Sequence, residues 1–276
     1  MGDVLTSSIG IAATLIAGMV SGAAWALIVA IGRAIYGVNE VLTSLMLNFV
    51  AILVAHYLVS GSTSPWRDTN LMTRPVGREI ARSLELPRIG ATRLHWGFFV
   101  AMAATVLVFI VLRYSRMGFR MRILSSSARA AHYAGINVRR LMVYVLLTSG
   151  ALAGLAGAIE VMGRGGRFSP PGLAIGLGYT GIVVAALARL SPFGVVITAV
   201  VLGGVANGTI TLQSLSNPIP VSVSVIIEGT LILFVVAGTA LLRYRWRWVS
   251  LRSSSAKRST EQPIHPAPTQ QTGARS

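Results

Sequence analysis

Cysteine is absent from this chain of 276 residues, which excludes disulfides, thiol catalysis and cysteine-ligated metals. Charge is scarce too: 12% of residues are charged, against about 25% in an average soluble domain. Acids are scarcest, with eight Asp and Glu against 24 Lys and Arg. The four histidines, His56, His95, His132 and His265, show no ligand spacing, so no metal is expected. No GxxxxGK[ST], GxSxG or HExxH sequence occurs. The chain therefore carries no usual nucleotide loop, hydrolase site or metalloprotease site, and neither enzymatic activity nor a cofactor is expected.

What fills the chain is apolar sequence: 53% of residues are hydrophobic and the mean hydropathy is +0.68. The net charge of +16 does not point to nucleic acid, because the basic residues cluster between and after apolar runs, as membrane topology requires. A span needs about 20 mostly apolar residues. Seven stretches qualify: 9–31, 41–60, 96–112, 141–162, 177–190, 193–212 and 221–242. The fifth is short and follows Pro170, Pro171 and several glycines, which predicts a broken or re-entrant segment near 165–178. The expected fold is all-α, a polytopic transmembrane helical bundle over 1–245. A basic tail, 246–276, has too few apolar groups to fold.

Alternating the loops yields two sets. Arg33, the 113–140 segment, Arg189 and the residues after Leu242 hold sixteen Lys or Arg residues. The 61–95 loop with Arg164 and Arg167 holds eight. The richer set is assigned to the cytoplasm, making 61–95 extracytoplasmic and 113–140 a cytoplasmic loop. The N-terminus then lies outside. Its first charge is Asp3 and a full span follows, unlike a secretory signal. This parity leads to the expectation that an odd number of spans precedes residue 1.

Small residues recur at four-residue spacing, Gly18 with Gly22, Gly150 with Gly154, Ala153 with Gly157, and Gly204 with Gly208. Such faces admit a second backbone, either within the bundle or in a partner. Glu160 and Glu228 fall in or near spans, where a charge is costly. Glu160 has Arg164 one turn later as a structural partner, and Glu228 is divided between helix packing and a transport path. Asn48, Phe168, Tyr179 and Asn207 complete the candidate pathway, amides for hydrogen bonding and rings for stacking on a neutral polar solute.

The runs GVNEVLTSLMLNFVA (37–51), RMGFRMRILSSSARAAHYAGINVRR (116–140), SGALAGLAGAIEVMG (149–163) and GLGYTGIVVAALARLSPFGV (176–195) resemble, in order, the inner-membrane permease subunits of ABC importers for simple sugars and nucleosides. These are relatives of the branched-chain amino acid permeases, and the first of two paired nucleoside-type permeases is the nearest likeness. The resemblance implies a multi-pass protein of the bacterial plasma membrane. It also implies a cytoplasmic ABC ATPase that uses the ATP, a second permease and an extracytoplasmic solute-binding lipoprotein. It implies as well a coupling helix within 125–137, with Ala130, Ala131, Tyr133, Ala134, Gly135 and Ile136 as its docking surface. A helix lying on anionic lipid is the alternative for that segment. The family carries further spans ahead of the matched region and a glycine where Ala188 stands. Competing functions are an ion-coupled transporter using Glu160 or Glu228, and a truncated remnant that binds partners without transporting.

Overall fold

A computed structural model describes residues 2–60, 65–68, 77–90, 94–163, 166, 168 and 177–213, with 226, 229–230, 233–234 and 237–238. Its helices are α1 (Gly2–Tyr36), α2 (Glu40–Ser60), α3 (Gly97–Tyr114), α4 (Arg116–Ser126), α5 (Ala128–Tyr133), α6 (Val138–Gly163), α7 (Leu177–Leu187) and α8 (Pro192–Gln213). Among the described residues β structure is confined to isolated bridges, such as Arg67 with Gly77 and Arg88 with His95. All eight helices lie within the compact unit Met1–Ile232. The fold is all-α and multi-pass.

Four helices, α1, α2, α3 and α6, are each long and apolar enough to cross a bilayer, and two shorter apolar stretches are Leu177–Leu187 and Pro192–Val205. Their boundaries fall within a few residues of the sequence-predicted spans, except that α1 begins seven residues before its predicted start and runs five residues past its predicted end. Most of the predicted seventh span, the basic tail and most of the 165–178 segment lie outside the described residues. At most 11% of the most apolar window of each long helix is buried. Outward-facing Leu, Ile, Val and Phe are what a helix needs when its solvent is lipid.

The central contact is α1 against α6, which run antiparallel. Here the small-residue spacing becomes structural. A methyl group at Gly22 would strike the Gly150 carbonyl, one at Gly150 would strike Ala26, and one at Gly154 would strike the Gly18 carbonyl. Gly18 faces Gly154 and Ala158 in turn. Without side chains between them, the two backbones meet directly. Gly157 is an exception: among the described residues nothing lies within 4 Å of the space its Cβ would take. It is one residue too far round the helix to join the seam. Gly204 and Gly208 likewise meet nothing within 4 Å among the described residues.

At one end of the bundle the 77–95 segment rests on the α1 and α6 termini. The backbone N–H of Gly77 donates to the Phe168 carbonyl at 2.7 Å, that of Ile80 to Gly166 at 2.7 Å, and that of Leu86 to Met162 at 3.2 Å. At the opposite end α3 turns into α4 at Ser115. That hydroxyl accepts from the Gly118 N–H at 3.1 Å and donates to the Val111 carbonyl. Gly118 is buried, and a Cβ there would collide with the Leu112 carbonyl.

Candidate functional site: a polar groove and a short capped helix

A groove of about 940 Å³ lies between α1, α2 and α6. Trp25, Ala26 and Val29 of α1, Ser44, Asn48 and Ala55 of α2, and Ser149 and Ala153 of α6 line it, and Phe168 reaches it from the loop side. The wall is mostly apolar, with an amide, several hydroxyls and two aromatic rings placed along it, the composition of sites for small polar solutes. The seam glycines Gly22, Gly150 and Gly154 form its floor.

Glu40 lines the groove and bonds to Arg33 at 3.2 Å. The Arg33 guanidinium also donates to the carbonyls of Gly37 (3.5 Å) and Val38 (3.3 Å), so one side chain closes the α1–α2 turn. Gly37 is required there, since its φ is +67°, a conformation that other residues rarely adopt. Asn39 starts α2, its side-chain oxygen accepting from the Val41 N–H at 3.0 Å, as an N-cap does.

The second site is α5, six residues held at both ends. Ser127 caps it by accepting from the Ala130 N–H at 3.3 Å. It ends on Gly135, φ +67°, whose N–H donates to the His132 carbonyl at 3.0 Å, while the Ile136 N–H reaches the Ala131 carbonyl at 3.0 Å. This paired C-terminal closure favours glycine at its left-handed position. Asn137 then begins α6, accepting from the Arg140 N–H at 3.1 Å. Tyr133 projects from this fixed turn with 91% of its surface exposed. The α3–α4 corner behind it is braced by Arg122, whose Nη2 donates to the carbonyls of Leu112 and Arg113, both at 3.0 Å.

Residues 2–236 match the family whose description is the branched-chain amino acid transport system / permease component. The chain belongs to that family. Similar proteins include the guanosine ABC transporter permease protein of Bacillus subtilis, 33% identical over 82% of this chain and 65% of that protein. The glucose ABC transporter permease protein of Haloferax volcanii is 31% identical over 83% of this chain and 62% of its own length. The nucleoside ABC transporter permease protein of Lactococcus lactis subsp. cremoris is 25% identical over 80% and 62% respectively. The chain thus spans less than two thirds of these relatives. No solved structure matches it.

In this permease component the candidate residues separate into groups. Asn48 and Phe168 come together in the groove. Tyr179 lies half-exposed on α7 and is not among the groove's lining residues. Asn207 lies in α8 but its side chain falls outside the described residues, as does Glu228 altogether. Glu160 is partly buried in the last turns of α6 and has a bonding partner, while Arg164 lies outside the described residues.

Of the six coupling candidates, Ala130, Tyr133, Ala134 and Gly135 are exposed. Ala131 is not part of a surface: it is 0% exposed, on a helix that contacts α4. Ile136 is half-buried and, with Ala134, borders a cavity of about 400 Å³ against Tyr114, Phe119 and Ile123. Sequence reasoning missed Ser115, Gly118 and Arg122, which had been read only as loop and charge. The serine spaced three residues from a glycine was the available signal for that corner.

Proposed function

We propose that this chain is one of two paired permease subunits of an ATP-driven importer, and that it moves a nucleoside or a simple sugar through the α1–α2–α6 groove. The observation that carries this is Tyr133, an aromatic side chain displayed on a helix fixed at both ends. A buried aromatic anchor is the usual energetic centre of a protein contact, and Tyr133 is presented for one. ATP is bound and hydrolysed by a separate cytoplasmic subunit, and a solute-binding lipoprotein delivers the solute on the other face.

Force applied to α5 has two short routes into the spans. Backwards, it passes through the Arg122-braced corner into α3. Forwards, it passes through Asn137 into α6, whose Ser149, Gly150 and Ala153 line the groove. Closure of the ATPase pair would thereby tilt α6 against α1 and change which end of the groove is open. The substrate class follows from an amide and two rings within an apolar wall, together with the guanosine, nucleoside and glucose transport named for similar proteins.

The test is Tyr133→Ala in the assembled importer. Loss of a hot-spot aromatic costs about 2 kcal/mol or more, so ATP-dependent uptake should fall at least about thirtyfold while the membrane level of the chain stays unchanged. Unaltered uptake would remove α5 from the coupling role.

A further inference from the structure

The α7–α8 turn repeats the closure that ends α5, but with residues poorly suited to it. The Arg189 N–H donates to Ala186 at 3.1 Å and the Leu190 N–H to Ala185 at 3.0 Å, the same pair of bonds made by Gly135 and Ile136. Here both left-handed positions are occupied by residues with side chains, Arg189 at φ +51° and Leu190 at φ +59°. Ala188 itself is not at positive φ and is buried. Consecutive non-glycine residues in this region are strained and persist where the fold holds them for a purpose.

The strain has a visible product. The residue after such a closure usually folds back onto the helix it ends, as half-buried Ile136 does on α5. Leu190 instead stands 81% exposed. Of the five large hydrophobic side chains most exposed among the described residues, Tyr133, Leu190, Tyr57, Tyr36 and Tyr114, it alone is not a tyrosine. Tyrosine suits a membrane–water boundary; an aliphatic tip held out on a polar turn does not.

The turn is also continuous with the coupling surface. Three residues on, Phe193 packs at a tilt against Phe109 of α3, centroids 4.9 Å apart, and Phe109 meets Tyr114 edge-on at 6.4 Å. Tyr114 is the residue before the Ser115 corner and borders the cavity behind α5. One aromatic chain thus joins the α8 N-terminus to the base of the coupling segment.

We infer that the Arg189–Leu190 turn is a second contact for the same ATPase, Leu190 inserting beside the Tyr133 anchor. This rests on the docking role proposed for α5, and it gives the ATPase hold of the α7–α8 pair as well as α3 and α6.

A photo-cross-linking residue is placed at 190 in one full-length variant and at 133 in another, each expressed with its own importer subunits. Adducts are identified by mass spectrometry. Both positions should yield peptides of an ATP-binding-cassette ATPase. An ATPase adduct at 133 with none at 190, or a 190 adduct to lipid or to a permease, overturns the second contact and leaves the α5 assignment standing. An ATPase adduct at 190 alone supports the turn and overturns the Tyr133 anchor; adducts at neither position overturn both. Leu190→Ser supplies an independent reading: uptake should fall about fivefold at unchanged membrane level, and unchanged uptake counts against the contact.

Discussion

A glycine in a membrane helix matters where another backbone lies against it, and the α1–α6 seam separates such glycines from the rest. Gly22, Gly150 and Gly154 meet carbonyls or Cα atoms of the facing helix, whereas Gly157 meets nothing among the described residues. All four carry the same spacing signal, so sequence alone cannot rank them; helix rotation does. Overpacking a close contact costs about 1–3 kcal/mol. Gly154→Leu should therefore lower the thermal midpoint of the purified chain in detergent and reduce its yield. Gly157→Leu, one position round the helix, should stay within about 0.5 kcal/mol of the parent. Equal losses from both substitutions would show that the seam is not where stability resides. The groove would be affected with it, since Gly22, Gly150 and Gly154 belong to both.

At the scale of elements, the spans were legible because hydropathy depends on composition summed over about 20 residues, and lipid-exposed helices need no finer pattern. The end of α5 was legible too, because Gly135 is a local signal for a left-handed closure. Three things were not. A six-residue helix is too short to reveal its buried face, so Ala131 passed for surface. The α7 closure has no glycine at its left-handed positions, and so gave no sign. Arg122 registered as one of many cytoplasmic charges, although it satisfies two carbonyls at the end of α3, which otherwise lack partners. That bond makes α3 and α4 a stiff elbow. Being partly solvated, it is worth roughly 1 kcal/mol, or about fivefold in a coupling equilibrium. Arg122→Gln should preserve ATP turnover in reconstituted importer while lowering solute moved per ATP about fivefold. Lysine keeps the charge but not the planar fork, so Arg122→Lys should restore only part of the ratio. An unchanged ratio in Arg122→Gln would leave the elbow without a role in transmission.

At the scale of the whole molecule, one charge pattern runs against the rest: the 61–95 loop holds six arginines and three acids, yet helix parity predicts it outside. The attachments of the loop favour the parity reading. The loop is fastened to the ends of α1 and α6 by backbone hydrogen bonds to Met162, Gly166 and Phe168, with Leu84 against Gly10 and His95 against Gly163. It is therefore expected on the side where those helices end. Loop charge steers orientation most strongly when a loop is short and its spans are undecided; this one is tied to two long apolar helices. The absence of cysteine makes the arrangement directly measurable, because single cysteines can be introduced without removing any. Arg82→Cys, on an exposed residue of that loop, should react with a membrane-impermeant maleimide added to spheroplasts. Tyr133→Cys should react only after the membrane is opened. The reverse pattern would invert the bundle, place α5 and the Leu190 turn on the wrong face for any ATPase, and take the coupling scheme with it. Labelling of both positions from outside would break the parity itself, which no set of antiparallel α1, α2, α3 and α6 spans permits.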